Sequence, residues 1–204
     1  MSSRHLVLAS ASSARFRVLT HAGFDPEVVV SGIDEDIASD SAEAMVSHLA
    51  IAKARAVSTR RPDAVVIGCD SMLDVGGEAC GKPASATEAL DLWLRLRGSE
   101  RSLYTGHCVI DPATKRSAFA VGRTRVRFGN PDMAELQAYV RTGEPLQAAG
   151  GFTIDGLGAP FVDGVDGDPN NVLGLSVALL RVLLGRLGIP IVELWALPRT
   201  PRVS

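Results

Sequence analysis

Apolar and polar positions alternate along this chain with two periods, and each change of period marks an element. His5-Leu6-Val7-Leu8-Ala9 is a continuous apolar run and predicts a first strand. Ser12 is placed to cap a helix through about His21, with Phe16, Leu19 and Ala22 at core spacing and Gly23 as its stop. A second strand is expected over 27–31, then an acidic loop, Gly32-Ile33-Asp34-Glu35-Asp36. Val46, Leu49, Ala50 and Val57 share one stripe of a helix over 42–58. Gly76-Gly77 reads as a hairpin turn, and Ser85-Ala86-Thr87-Glu88 as a capping box opening a helix to about Leu96. Strands follow over 102–110 and 117–128, joined by Asp111-Pro112-Ala113-Thr114. Asn130-Pro131 predicts a helix start with Asn130 as cap, Gly143 ends that helix, and a last amphipathic helix spans 176–187. The tail over 196–204 is expected to be loose. Helices and strands alternate around an antiparallel central section, which predicts an α/β fold with a mixed sheet.

One run departs from simple alternation. Val65-Val66-Ile67-Gly68-Cys69-Asp70-Ser71 is a row of small apolar residues that breaks at a carboxylate. Such a run reads as a strand buried on both faces. Asp70 is then expected at the strand's carboxyl end, where open α/β sheets bind ligands. It is either a turn cap or a general base or metal ligand.

Composition narrows the function classes. The chain has 204 residues, 46% hydrophobic and 22% charged, enough for a sizeable core in one domain or in two small lobes that share it. A net charge of -2 gives no basic field for nucleic acid. No apolar run reaches the length of a bilayer span, and the N-terminus lacks the apolar core of a signal peptide, so neither a membrane partner nor export is expected. Cys69, Cys80 and Cys108 lack metal-type spacing and read as reduced thiols of a cytoplasmic protein.

Several polar residues fit one chemistry. Leu8-Ala9-Ser10-Ala11-Ser12-Ser13-Ala14-Arg15 is a strand, a small-residue turn and a helix start, which favours an anion. Ser10 and Ser12 add hydroxyls and Arg15 a fixed cation; the plain alternative is an ordinary serine cap. Lys53 lies on the apolar stripe of its helix, four residues after Leu49, and either snorkels or reaches a polar cleft. Lys82, in Gly81-Lys82-Pro83, is a second cation; Glu35 and its acidic neighbours offer oxygens to a hard cation. Residues 143–180 contain no Lys or Arg and are rich in Gly. That segment is a poor phosphate cradle, and its close backbone with Asp155 suits hydrogen-bond reading of a base or sugar, or else is a set of tight turns.

These pieces resemble the Maf family of nucleoside triphosphate pyrophosphatases. The family's opening Ser-x-Ser-Pro-Arg-Arg element matches Ser10-Ala11-Ser12-Ser13-Ala14-Arg15, its Lys-Ala matches Lys53-Ala54, and its Gly-Ala-Asp-Thr matches Gly68-Cys69-Asp70-Ser71. Gly81-Lys82-Pro83, Tyr104-Thr105-Gly106, Tyr139-Val140-Arg141-Thr142-Gly143-Glu144-Pro145, Ala149-Gly150-Gly151-Phe152, Gly156-Leu157-Gly158 and Asn171-Val172-Leu173-Gly174-Leu175 also fit. The motifs span nearly the whole chain, and Cys69-Asp70-Ser71-Met72 with Leu103-Tyr104-Thr105-Gly106-His107 looks most like the actinobacterial branch.

The resemblance implies a two-lobed mixed-sheet fold of the inosine triphosphate pyrophosphatase type, with the site in the cleft between lobes. It implies a hydrolase acting on acid anhydrides: a nucleoside triphosphate becomes the monophosphate and pyrophosphate, with Mg²⁺ or Mn²⁺. Asp70 matches the family's proton acceptor, with Lys53 and Lys82 as catalytic partners. Glu35 and Asp70 are the candidate metal ligands. Ala14, Ser71 and Asp155 match three specificity positions. A pyrimidine-preferring branch carries Arg, Thr and Gln there, and a methylated-guanine branch Trp, Gln and Glu; this chain has neither set. Ala14 removes one cation from the phosphate turn, with Arg17 a candidate replacement. A cytoplasmic homodimer that cleanses the nucleotide pool or cleaves ordinary triphosphates is the implied setting. A regulatory nucleotide-binding protein linked to septum formation is the alternative, and a different α/β enzyme a third.

Overall fold

A computed structural model describes residues 4–37 and 39–196. Seven strands form one mixed sheet in the order β2-β1-β3-β5-β6-β7, with β4 attached to β3. They are β1 (His5–Leu8), β2 (Glu27–Val28), β3 (Ala64–Val75), β4 (Glu78–Cys80), β5 (Glu100–Asp111), β6 (Arg116–Phe128) and β7 (Val162–Asp166). β1 is parallel to β2 and β3, and every other pair is antiparallel. The helices are α1 (Ser13–His21), α2 (Ala42–Ser58), α3 (Ala86–Leu96), α4 (Met133–Arg141), α5 (Pro169–Val172) and α6 (Val177–Arg186). The α/β class and the mixed sheet are as the pattern predicts.

Side-chain caps fix where the longer helices begin. Ser12, Ser41, Ser85 and Ser176 each accept a hydrogen bond from the backbone N–H three residues on. α4 corrects the expected cap. It starts from Asp132, not Asn130, because Asp132 and Glu135 bond each other's backbone reciprocally. At α3, Glu88 reaches the Ala84 N–H at 2.9 Å, one residue before the cap. The strand expected over 27–31 pairs only at Glu27–Val28. Gly76 and Gly77 make the expected hairpin, both in the left-handed region. Of the tail expected to be loose, positions from 197 on lie outside the described residues.

Two corrections bear on function. α1 buries Arg15, Val18 and Leu19, while Phe16, expected in the core, is exposed. An inward Arg15 turns the helix so that the residue after it faces out. β3, in turn, does not end at Asp70. It runs on to Val75 because β5 pairs with it continuously from Val66↔Ile110 to Asp74↔Ser102. Its other edge is interrupted: β1 pairs only as far as Ile67, and β4 begins at Leu73. Asp70 and Ser71 therefore sit at a notch in the sheet edge, beyond the carboxyl end of β1.

The apolar core divides on either side of this notch. One cluster gathers Leu8, Leu19, Ile67, Val109, Leu180 and Leu183, and another Leu73, Trp93, Leu103, Phe128, Leu136 and Tyr139. β3, β5 and β6 contribute to both. α2 lies hard against the sheet, since a Cβ on Gly68 would stand 2.3 Å from the Ala50 carbonyl and one on Gly106 2.2 Å from that of Val46. All three cysteines are unpaired; Cys69 is buried, and burial pushes its thiol up to about 12.

Candidate active site

The notch opens into a cleft of about 670 Å³. All the residues singled out from the sequence line it: Ser10, Ser12, Ala14 and Arg15 from one wall, Glu35 and Lys53 from a second, Asp70 and Ser71 from the floor, Lys82 and Asp155 from the far side. Alternation along β3 sends Asp70 toward α2 and Ser71 toward α1.

Lys53 reaches Asp70 because Gly68 lets α2 lie close. Its Nζ donates to Asp70 Oδ1 at 2.6 Å and stands 2.8 Å from Glu35 Oε2. The Lys53 and Asp70 side chains are 6% and 7% exposed, so this is a buried pair; Glu35, at 54%, approaches from solvent. Asp70 Oδ2 is buried and has no hydrogen-bond partner among the described residues. An unpartnered carboxylate oxygen beside a buried cation is costly unless something arrives to use it.

Arg15 organises the opposite side. Its Nε–H donates to the Gly174 carbonyl at 2.9 Å, one Nη to Ser10 Oγ at 2.9 Å and the other to Ser71 Oγ at 3.1 Å. Ser10 Oγ also accepts the Ser12 N–H at 3.2 Å, which leaves its own O–H to donate. Thr105 donates to the Asn171 carbonyl at 2.8 Å, so in the 2.9 Å contact between Ser71 and Thr105 the proton belongs to Ser71. The order Arg15 to Ser71 to Thr105 to Asn171 is thereby fixed. Below it, His107 Nε2 accepts the Ser176 N–H at 2.8 Å, so its Nδ1–H donates to the Thr105 carbonyl at 3.0 Å. Burial, opposed by that carbonyl and aided by Arg15, pushes His107 down to about 4, and it is held neutral.

On the far side, Lys82 is exposed and makes no ion pair among the described residues. Asp155 pairs with Arg17 of α1 at 3.1 Å across the cleft. Arg17 lies one helical turn from Ala14, on the wall where a cation is missing. Sequence reasoning gave no role to Thr105, His107, Asn171 or Glu144, though motifs containing all four were visible. Thr105, His107 and Asn171 meet partners tens of residues away, beyond the reach of any local pattern, and Glu144 meets donors from aperiodic loop further along the chain.

Among the described residues, no group of three or more His, Cys, Asp or Glu converges to hold a metal. The donors present still suit a hard cation. Mg²⁺ commonly takes one or two carboxylates and fills its shell with phosphate oxygens and water, and Asp70 Oδ2 is such a carboxylate oxygen. Lys53 stands between Asp70 and Glu35, so the two carboxylates do not face each other across an open metal position.

The family model described as Maf-like protein matches residues 5–187. The chain belongs to the Maf family. This Maf chain is 53% identical over 203 residues to a protein of Streptomyces avermitilis named nucleoside triphosphate pyrophosphatase, covering 98% of the chain and 96% of the relative. Proteins of the same name from Streptomyces coelicolor (53% over 197 residues, 95% of each) and Salinispora tropica (50% over 197 residues, 94% of the chain and 87% of the relative) are also similar. These relatives accord with the actinobacterial branch that the Maf motifs suggested. A solved structure described as that of the Staphylococcus aureus Ham1 protein aligns at 17% identity and TM-score 0.43, over 62% of the Maf chain and 73% of that chain. No helix among the described residues is long and apolar enough to cross a membrane.

Proposed function

We propose that this chain hydrolyses a nucleoside triphosphate to the monophosphate and pyrophosphate in the cleft at the β3 notch. The observation that carries the reading is the buried, unpartnered oxygen of Asp70 within a cleft lined by Arg15, Lys53 and Lys82. Water attacks the α-phosphorus, a bond forms from its oxygen, and the bond to the bridging oxygen of pyrophosphate breaks. The water's proton passes to Asp70 Oδ2, or that oxygen holds a divalent cation; the residues suit both. Lys53 keeps Oδ1 occupied and so turns Oδ2 to the reaction. The Ser10 hydroxyl, the first N–H groups of α1 and the Arg15 guanidinium face negative phosphate oxygens, and exposed Lys82 adds a further cation. A Mg²⁺ or Mn²⁺ ion bound with the phosphates would supply further neutralisation of the leaving charge, and Asp70 Oδ2 would be its protein ligand where that oxygen does not take the proton.

Ala14 and Asp155 form the walls beside the nucleoside, while Ser71, clasped by Arg15 and Thr105, acts on specificity through Arg15. The two apolar clusters are read as the two lobes. A cytoplasmic homodimer completes the proposal, and sedimentation velocity reads the oligomeric state.

The test is release of pyrophosphate and monophosphate from a panel of canonical and modified triphosphates with Mg²⁺ or Mn²⁺. Equal amounts of the two products are expected, with kcat lowered about 10²–10⁴-fold in Asp70→Asn. Orthophosphate as the product would replace the reaction. Full activity in Asp70→Asn would remove Asp70 from its role. Binding without turnover across the whole panel would leave the regulatory alternative.

A further inference from the structure

Two segments of the cleft's far side meet at one carboxylate, to which the hydrolytic reading gives no task. Glu144 follows Gly143, whose φ of 75° turns the chain after α4. Its Oε1 accepts from the Tyr139 hydroxyl at 3.1 Å, the Thr153 hydroxyl at 2.6 Å and the Gly158 N–H at 2.9 Å. Its Oε2 accepts from the Leu157 N–H at 2.9 Å. A carboxylate has about four acceptor sites; three donors crowd Oε1 and one meets Oε2. Burial pushes the Glu144 carboxyl up, but the Thr153 hydroxyl and the Leu157 and Gly158 N–H groups outweigh it and hold the group below its ordinary value.

The loop closes on Glu144 with no spare room. A Cβ on Gly156 would lie 2.5 Å from Glu144 Oε2, and one on Gly158 2.4 Å from the Tyr139 hydroxyl. Only residues without a side chain allow the backbone so near. Asp155 immediately precedes Gly156 and faces Arg17 across the cleft. This wall carries no Lys or Arg from 143 to 180, whereas the facing wall has the serine-capped helix start and Arg15. A segment without cations is suited to the uncharged part of a nucleotide, and Lys82, on the same side of the cleft, is the cation left to meet the phosphates.

We infer that Glu144 is a positioning residue of the nucleotide site. Its carboxylate holds residues 153–158 in the conformation that presents Asp155 and the loop backbone to the nucleoside before any ligand arrives. The inference rests on the proposed function for the identity of the ligand. Glu144 is bound through both oxygens to its own loop, which suits it to positioning; Asp70, with one oxygen unpartnered among the described residues, is the opposite case. The loss of Glu144 therefore weakens binding and spares the chemical step.

The test uses the full chain with Glu144→Gln, whose amide turns N–H groups toward donors, and Thr153→Val, which removes one donor and keeps the shape. Steady-state pyrophosphate release and native-state hydrogen exchange are both measured. For Glu144→Gln, KM is expected to rise about tenfold with kcat changed less than about twofold, as for loss of charge-assisted bonds that set binding only. Exchange at Leu157 and Gly158 rises while that of β3 and β5 is unchanged; Thr153→Val shows the same pattern, weaker. A fall in kcat at constant KM would place Glu144 in the chemistry and overturn the inference. Unchanged exchange at Leu157 and Gly158 in both variants would overturn it as well. If the native chain cleaves no triphosphate, the hydrolytic reading fails on its own; calorimetric titration with uncleaved triphosphate then replaces KM, and equal affinity in Glu144→Gln would sink the inference separately.

Discussion

Lys53 and Asp70 are each nearly sealed from solvent, so neither charge has water to fall back on. Pairing offsets much of their desolvation, and removing one partner leaves the other exposed to the full penalty. Lys53→Met is therefore expected to lower stability by about 3–5 kcal/mol in denaturant unfolding, as for other broken buried pairs. Adding Asp70→Asn to that chain should restore most of the loss, because the stranded charge is gone. A double variant no more stable than Lys53→Met would mean that packing of the lysine stem, not charge, sets the cost. At this scale the sequence was informative where a residue's type conflicted with its surroundings. A lysine on an apolar stripe and an aspartate in an apolar run both stood out, and the fold brings them to 2.6 Å. Glu144 and Thr105 gave no such signal: Thr105 is an ordinary polar residue until distant Ser71 and Asn171 arrive, and Glu144 until the aperiodic loop after it folds back. Phe16 gave a false one, since its spacing fits the core but Arg15 takes the inward face.

The approach of α2 to the sheet depends on missing side chains. Gly68→Ala would set a Cβ 2.3 Å from the Ala50 carbonyl and 2.6 Å from the Ala54 nitrogen, both backbone atoms that cannot turn aside. α2 must then lift, which costs about 1–3 kcal/mol by analogy with overpacked cores. It also draws Lys53 from Asp70. A lower melting temperature together with weaker pyrophosphate release is the expected outcome of calorimetry and assay. A variant that melts earlier yet turns over normally would separate the α2 seat from the chemistry. Most elements were legible because periodicity and caps agree, as at α2 and the Gly76-Gly77 hairpin. The extent of β3 was not, since its continuation past Asp70 is dictated by β5, more than thirty positions on in register, as in Asp70↔Gly106. The start of α4 was misjudged because a Pro after Asn130 imitates a cap, while the true signal was Asp132 with Glu135.

Across the whole molecule, His107 ties β5 to the start of α6 in its neutral form. Unfolded, such a group titrates near 6.5; folded, it titrates at about 4. The folded state resists the proton, so this contribution is present in full above about 6.5 and is lost as the pH falls through about 4. The difference amounts to about 3 kcal/mol of stability across that window. Urea midpoints of the native chain should fall more steeply between those limits than those of His107→Gln, which has no proton to gain there. Parallel slopes for the two chains would contradict the buried, neutral assignment. The three strands that cross beneath the cleft have a last consequence. β3, β5 and β6 supply side chains to both apolar clusters, so no hinge separates them and neither cluster can be assembled from a contiguous piece of chain. Folding on one side of the notch already lays down the strands of the other. The floor of the cleft is thus made of the same three strands that carry both apolar clusters, and whatever loosens one cluster is felt at Asp70 and Ser71 between them.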